Sequence, residues 1–316
     1  MALCAAMSHR ERFHRAAVEQ GIPDEEITTF AGFLRFGIGT NPAYDGVPVG
    51  QMGGLPRLPE GMPWPTGEDF MPLPFIASFD CAALPRVDDL PLPADGSLLF
   101  FLHHDRAFDE REEFDKDDEM EYAQVLYVPA GTPMMTAQKP DLPEEVFYNT
   151  TLSFIGDEYQ LAAAVMADLP SWLEDDEMGT PGVSTSDNDH LGLRLPHKAQ
   201  LRDLARKLWP ERGGYFQLGG YTGGVGALAT DHMWQTPEVE MAERNLDARK
   251  QAGELVIGRG ERDGHLERET LRVMREWVTL AQFTPEEVYR ARFLIRRDDL
   301  AAGRFDQALS LTAFTE

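Results

Sequence analysis

The chain has 316 residues, 42% of them hydrophobic, and a formal net charge of −25. That length and apolar content can build a buried core without disulfides or metals. A field of this sign repels nucleic-acid phosphates and anionic membranes, so neither is expected as a partner.

The longest apolar runs, such as Leu98 to Leu102 and Leu161 to Ala167, fall far short of the roughly 20 residues a spanning helix needs. Met1 to Met7 is mildly apolar, and its basic residues follow it. A secretory signal has the reverse order. Two cysteines, Cys4 and Cys81, make no pairing framework, which fits a reducing compartment. We expect a cytoplasmic protein.

In chain order, Ser8 to Gln20 reads as a helix, capped by Ser8 and stopped by Gly21. A second helix opens at Pro23-Asp24-Glu25-Glu26, with Asp24 as its cap. From Gly37 to Pro74, glycine and proline interrupt the chain every few residues, and neither helix nor central strand is expected there. The apolar residues Leu55, Leu58, Met62, Trp64 and Phe70 make this stretch an ordered, extended segment packed on the core.

Strands are expected over Phe75 to Phe79, Ser97 to His103, Ala123 to Val128 and Val146 to Phe154. Tyr159 to Leu173 looks helical up to Pro170, and Glu174 to Asp189 reads as an acidic loop. Pro196 to Trp209, Glu238 to Gln251 and Leu266 to Glu276 read as helices, and Gly213 to Gly226 as a glycine-dense stretch. Trp277 to Phe283, Tyr289 to Arg296 and Gln307 to Phe314 close the chain as strands. Ile76-Ala77-Ser78-Phe79 and Leu98 to Leu102 are echoed by Leu280-Ala281-Gln282-Phe283 and Arg292 to Ile295. The echo could reflect an internal pseudo-repeat within one sheet, or chance similarity among aromatic-rich strands.

The segment Gly53-Gly54-Leu55-Pro56-Arg57-Leu58-Pro59-Glu60-Gly61-Met62-Pro63-Trp64-Pro65 resembles a glycine-proline element of the YwqG-like family, bacterial proteins of unknown function. Phe75 to Phe79, Leu98 to Phe101 and Val125-Leu126-Tyr127 are similar to the strands that follow it in that family. Leu280 to Phe283 and Phe293 to Leu300 resemble its closing signature. Leu218-Gly219-Gly220-Tyr221, with Gln235, is similar to its central "LGYP…Q" element. The resemblance implies an α+β fold, a largely antiparallel sheet core with peripheral helices. It implies no catalytic set. We expect an N-terminal helical segment over residues 1–36 and an α+β domain over 37–316.

Catalytic signatures are scarce. Gly-x-Ser-x-Gly, a Gly-Lys-Ser/Thr phosphate loop, His-Glu-x-x-His and Cys-x-x-Cys are all missing from the sequence. Gly224 to Ala229 matches a relaxed dinucleotide fingerprint, but Asp231 and Pro237 interrupt the helix it would need. No cofactor and no metal is expected. The acidic run Asp105 to Glu121 could hold calcium only weakly, because its spacing is not that of a preformed cage.

Two functional expectations remain. The first is a binding protein whose acidic face engages a basic protein. That face would comprise Phe108, Phe114, Asp115, Asp117, Asp118, Glu119 and Tyr122, with aromatic anchors set among the acids. The second is an enzyme or small-molecule binder with a site around residues 213–235. Its candidate binding residues are Arg57, Trp64, Tyr221, Asp231, His232 and Gln235.

Overall fold

Ser8 starts the first helix, α1 (His9–Glu19), through a capping box. Its hydroxyl accepts the Glu11 amide at 3.2 Å, and the Glu11 carboxylate accepts the Ser8 amide at 2.8 Å. Pro23 then leads into α2 (Asp24–Ala31). Asp24, expected as the cap, lies inside the first turn beside Glu25 and Glu26, where the helix dipole favours acids. Its carboxylate meets His14 at 2.7 Å instead. Each helix turns a short apolar face inward, and Phe13 of α1 stacks on Phe30 of α2 with centroids 5.7 Å apart.

The computed structural model describes residues 7–67, 70–103, 122–141, 154–170, 173, 195–210, 214–222, 236–258, 260–284 and 289–314. Among the described residues twelve strands follow the two helices: β1 (Arg35–Asn41), β2 (Gly50–Met52), β3 (Arg57–Pro59), β4 (Phe75–Asp80), β5 (Ser97–Leu102), β6 (Ala123–Val128), β7 (Met134–Thr136), β8 (Tyr159–Asp168), β9 (Phe216–Gly219), β10 (Trp277–Phe283), β11 (Tyr289–Arg296) and β12 (Leu309–Phe314). Further helices are α3 (Lys198–Leu208), α4 (Pro237–Gln251), α5 (Arg262–Glu276) and α6 (Arg297–Ala301). Ten strands form one antiparallel sheet in the order β12-β11-β10-β9-β1-β8-β2-β4-β5-β6, while β3 and β7 pair separately. This is the expected α+β fold, with helices at the periphery of a large antiparallel sheet.

The sheet curls almost into a barrel. Phe100 on β5 touches Phe216 on β9 at 5.3 Å and Phe293 on β11 at 5.4 Å, although these strands lie far apart in sheet order. Tyr127 on the edge strand β6 meets Phe305 at 5.4 Å, in the 3-10 turn (Phe305–Gln307) that leads into the opposite edge strand. The main core fills this concave side, and α1, α2 and α3 contribute to it through Phe13, Phe30 and Leu201.

Three central strands differ from the sequence expectation. Tyr159 to Asp168 is the strand β8, where a helix was expected, and it pairs along its length with β1. β1 itself lies in mid-sheet within the stretch expected to hold no central strand, and β9 lies in the glycine-dense stretch. The reason is pairing, which overrides local propensity. Glycines serve close approach here: a Cβ on Gly37 would lie 2.9 Å from the Leu218 carbonyl oxygen of β9. The expected strand Val146 to Phe154 lies outside the described residues except for Phe154.

The echo between the two halves is an internal repeat. β1, β2, β4, β5 and β6 follow the same order as β8, β9, β10, β11 and β12, and both runs end in an antiparallel meander. Register ties the units residue by residue. The β4–β5 pairing shifts at Ile76 and the β10–β11 pairing at Leu280. From there Phe79 matches Phe283, and Phe100 matches Phe293. Gln51 opposite Ser78 matches Gln217 opposite Gln282. The first strands are exchanged: β1 pairs with β8 and with β9 of the second unit, and β8 pairs with β2 of the first. A pseudo-twofold therefore passes between β1 and β8, and Phe100 touches its own counterpart Phe293.

Candidate functional site

Each unit contains the sequence Gln-x-Gly-Gly at the end of its second strand, as Gln51-Met52-Gly53-Gly54 and Gln217-Leu218-Gly219-Gly220. All four glycines have positive φ, between 65° and 82°. In both units the glutamine amide folds back onto the first glycine, at 2.8 Å from Gln51 Nε2 to Gly53 O and 3.0 Å from Gln217 Nε2 to Gly219 O. Because the units are related by a twofold, the two turns lie at opposite ends of the strands.

The second turn closes over a carboxylate. Asp168, the last residue of β8, is 8% exposed. Its Oδ2 accepts the Tyr221 amide at 2.7 Å and Gln217 Nε2 at 3.4 Å. Gly220 must be glycine there, since a Cβ would lie 2.5 Å from Asp168 Oδ2 and 2.3 Å from Gln217 Nε2. Tyr221 donates its hydroxyl to the Phe33 carbonyl at 2.8 Å, and its own carbonyl accepts Gln282 Nε2 at 2.8 Å. The Arg35 guanidinium lies over the Tyr221 ring, 4.2 Å from its centroid. Beyond the turn, the Thr222 hydroxyl donates to the buried Glu238 carboxylate at the start of α4.

Burial pushes Asp168 up to about 6, against the lowering effect of the Tyr221 amide, Gln217 and Arg35. Burial likewise raises the Tyr221 phenol to about 12. Asp168 is thus a buried acid that can exchange its proton near neutral pH, while Tyr221 stays a neutral hydrogen-bond donor.

Of the candidate binding residues that are described, Arg57, Trp64 and Tyr221, only Tyr221 belongs to this cluster. Trp64 lies at the other end of the sheet, where its indole donates to the Leu73 carbonyl at 2.8 Å and its ring meets Phe154 at 5.5 Å. Phe154 precedes the first residue of β8 and Tyr221 binds the last, so the length of that strand, roughly 30 Å for a strand of this size, separates them. Arg57 is exposed on β3 and donates to the Met134 carbonyl at 3.3 Å. Asp231, His232, Gln235 and the Gly224 fingerprint lie outside the described residues. So do Phe108, Phe114, Asp115, Asp117, Asp118 and Glu119. Tyr122 is 7% exposed and packs into the main core. Among the described residues, no three His, Cys, Asp or Glu side chains are placed to hold a metal ion, and no helix is long and apolar enough to cross a membrane.

The sequence reading passed over Asp168, Gln217, Gln282 and Arg35. The repeated Gln-x-Gly-Gly was the available signal for Gln217; the other three come together only through strand pairing.

Fold and site define a curled, internally repeated antiparallel sheet with a buried polar cluster around Asp168. The family model described as a domain of unknown function, DUF1963, matches residues 50–312. The chain belongs to that family. No curated protein matches it.

Proposed function

We propose that this chain is a YwqG-like bacterial protein of the cytoplasm, a binding protein whose acidic face engages a basic protein partner. The supporting observation is how the acidic run is rooted. Between Asp105 and Glu121 the sequence has ten acids (Asp105, Asp109, Glu110, Glu112, Glu113, Asp115, Asp117, Asp118, Glu119, Glu121) against Arg106, Arg111 and Lys116. Its two flanks are held together: the His103 amide donates to the Tyr122 carbonyl at 2.9 Å, directly beyond the Leu102–Ala123 pair of β5 and β6. One short neck on a rigid sheet thus carries the densest charge of the molecule. Like charges held this closely repel, and a basic surface relieves that repulsion while speeding encounter. The test is a pull-down at low salt with wild type and with Asp115, Asp117, Asp118 and Glu119 changed to Ser. Basic proteins retained by wild type should be lost in the variant and should elute as salt rises. Identical retention by both proteins, or none by either, would end the proposal.

A second reading, an enzyme or small-molecule binder around residues 213–235, is favoured by Asp168. A buried carboxyl poised near pH 6 beside the start of that segment is a common feature of chemical sites. A small-molecule thermal-shift screen on wild type and Asp168→Asn tests it. A stabilising compound that no longer acts on the variant supports this reading; no such compound counts against it.

A further inference from the structure

In a chain with 54 acids and 29 basic residues, three arginines converge beside Tyr221. Arg10 on α1 donates to the carbonyls of Ala31 and Leu34, the latter at 2.7 Å, and to Asp89 at 2.8 Å. Asp89 also accepts the Phe36 amide at 2.8 Å, so each of its oxygens already takes one bond. Arg35, at the start of β1, covers the Tyr221 ring and donates one hydrogen bond, to the Met274 carbonyl at 2.6 Å. Arg297, at the start of α6, donates one from Nε to the next carbonyl, Arg275 O, at 2.9 Å. The Arg35 and Arg297 guanidiniums are thus tied to successive carbonyls in the last turn of α5, near enough for their charges to interact.

Capping that helix end accounts for one N–H of each arginine. A guanidinium has five. Among the described residues neither Arg35 nor Arg297 forms a direct ion pair: Asp89 bonds Arg10 and the Phe36 amide, Asp168 bonds Tyr221 and Gln217, and the two carboxylates act on Arg297 and Arg35 only through space. Both are half-buried, so water satisfies them only in part. Their charges feel one another: burial first, and then Arg35, hold the Arg297 guanidinium below its ordinary value. Asp89 and Asp168 offset the three guanidiniums only in part, and two adjacent, partly desolvated cations with no direct ion pair are costly unless an anion joins them.

We infer that Arg35 and Arg297, with Arg10 beside them, form a binding site for a phosphate group. The chemistry favours phosphate over carboxylate on charge and shape. A phosphate monoester carries about −1.5 to −2 at neutral pH and balances two guanidiniums, whereas a carboxylate balances one. Three phosphate oxygens can also meet two guanidinium forks at once. The site lies apart from the acidic run between β5 and β6 and does not depend on the acidic-face reading.

The test is calorimetric titration of the full chain with inorganic phosphate and with phosphoserine, at constant ionic strength set with chloride. Wild type should bind phosphate saturably with Kd below about 1 mM. Arg297→Gln should weaken binding at least about tenfold, the loss expected when one charged donor is removed. Arg35→Lys, which keeps the charge and removes the fork, should weaken it as well. Thermal unfolding of each variant shows that it is folded, and should Arg35→Lys unfold, Arg297→Gln carries the test. Absence of saturable phosphate binding by wild type, or an unchanged Kd in Arg297→Gln, would overturn the site. Acetate binding as tightly as phosphate would overturn the choice of ligand.

Discussion

The two Gln-x-Gly-Gly turns share a backbone device and differ in what they cover. Gly53 and Gly54 are half-buried: a Cβ on Gly53 would meet the Asp157 carbonyl oxygen at 2.1 Å, and one on Gly54 the exposed Glu158 at 2.8 Å. Gly219 and Gly220 are buried, and Gly220 presses on Asp168 and Gln217. The repeat presents one turn twice, and burial makes the second part of a polar cluster with a perturbed acid. The same asymmetry recurs in the core. Phe216 packs between Phe79 and Phe283 at 5.0 and 4.9 Å, but its counterpart is Gly50, where a Cβ would lie 2.3 Å from the Ser78 carbonyl oxygen. At this position a phenylalanine fits in one unit and not in the other, so the units cannot be identical.

The largest predicted effect follows from the exchanged strands. With β1 seated between β8 and β9, neither unit owns a complete sheet. The full chain should unfold in one cooperative step, and fragments ending or beginning near residue 142 should not fold alone. Two separated calorimetric transitions, or a fragment with native-like near-ultraviolet dichroism, would break the comparison of the units as interdependent halves.

Substituting the paired glycines probes the turns directly. Gly220→Ala combines positive φ with a clash against buried, hydrogen-bonded groups and should cost more than about 3 kcal/mol. Gly54→Ala has the same strain, but its clash is with the flexible side chains of Glu158 and Gln51, and it should cost about 1–2 kcal/mol. Urea denaturation measures both. Equal losses would mean that burial of the second turn does not matter.

How far this site could be read in advance depended on where its parts lie in the chain. The outer strands were legible because Leu98 to Leu102 or Arg292 to Ile295 are dense in residues that favour a sheet wherever they are placed. The central strands were not, since Gly37 and Gly39 of β1 and the alanines of β8 have little strand preference and gain their structure from each other: Gly39 opposes Ala164. Tyr221 stood out beside its glycines. Asp168 did not, because nothing within a few residues of it shows that a turn some fifty positions later will close over it.

The buried carboxyl gives a pH signature that the first turn lacks. Asp168 is raised from an ordinary 3.8 to about 6 in the folded protein. The folded state therefore holds this proton more tightly than the unfolded chain. Its contribution to stability is fully present below about pH 4 and is lost as pH rises through about 6. At 1.36 kcal/mol per pKa unit the swing is between about 2 and 3 kcal/mol. Subtracting the profile of Asp168→Asn from that of wild type should isolate this decline between pH 4 and 7, and a flat difference would show that the carboxyl is not held as described.

The smallest effect separates the anchor of the second turn from the carboxylate it helps to enclose. Tyr221 is fixed by three hydrogen bonds: its amide to Asp168, its carbonyl to Gln282 and its hydroxyl to the Phe33 carbonyl. Tyr221→Phe removes only the last, leaving the Phe33 carbonyl one donor short, and should cost about 1 kcal/mol. The ring stays under Arg35 and the amide stays on Asp168, so the pH-dependent difference assigned to Asp168 should survive in the variant. If Tyr221→Phe instead abolishes that difference, the hydroxyl bond rather than strand pairing holds the turn shut over the acid. The second unit would then owe its distinct chemistry to a single side chain, whose counterpart in the first unit, Leu55, has no hydroxyl to offer.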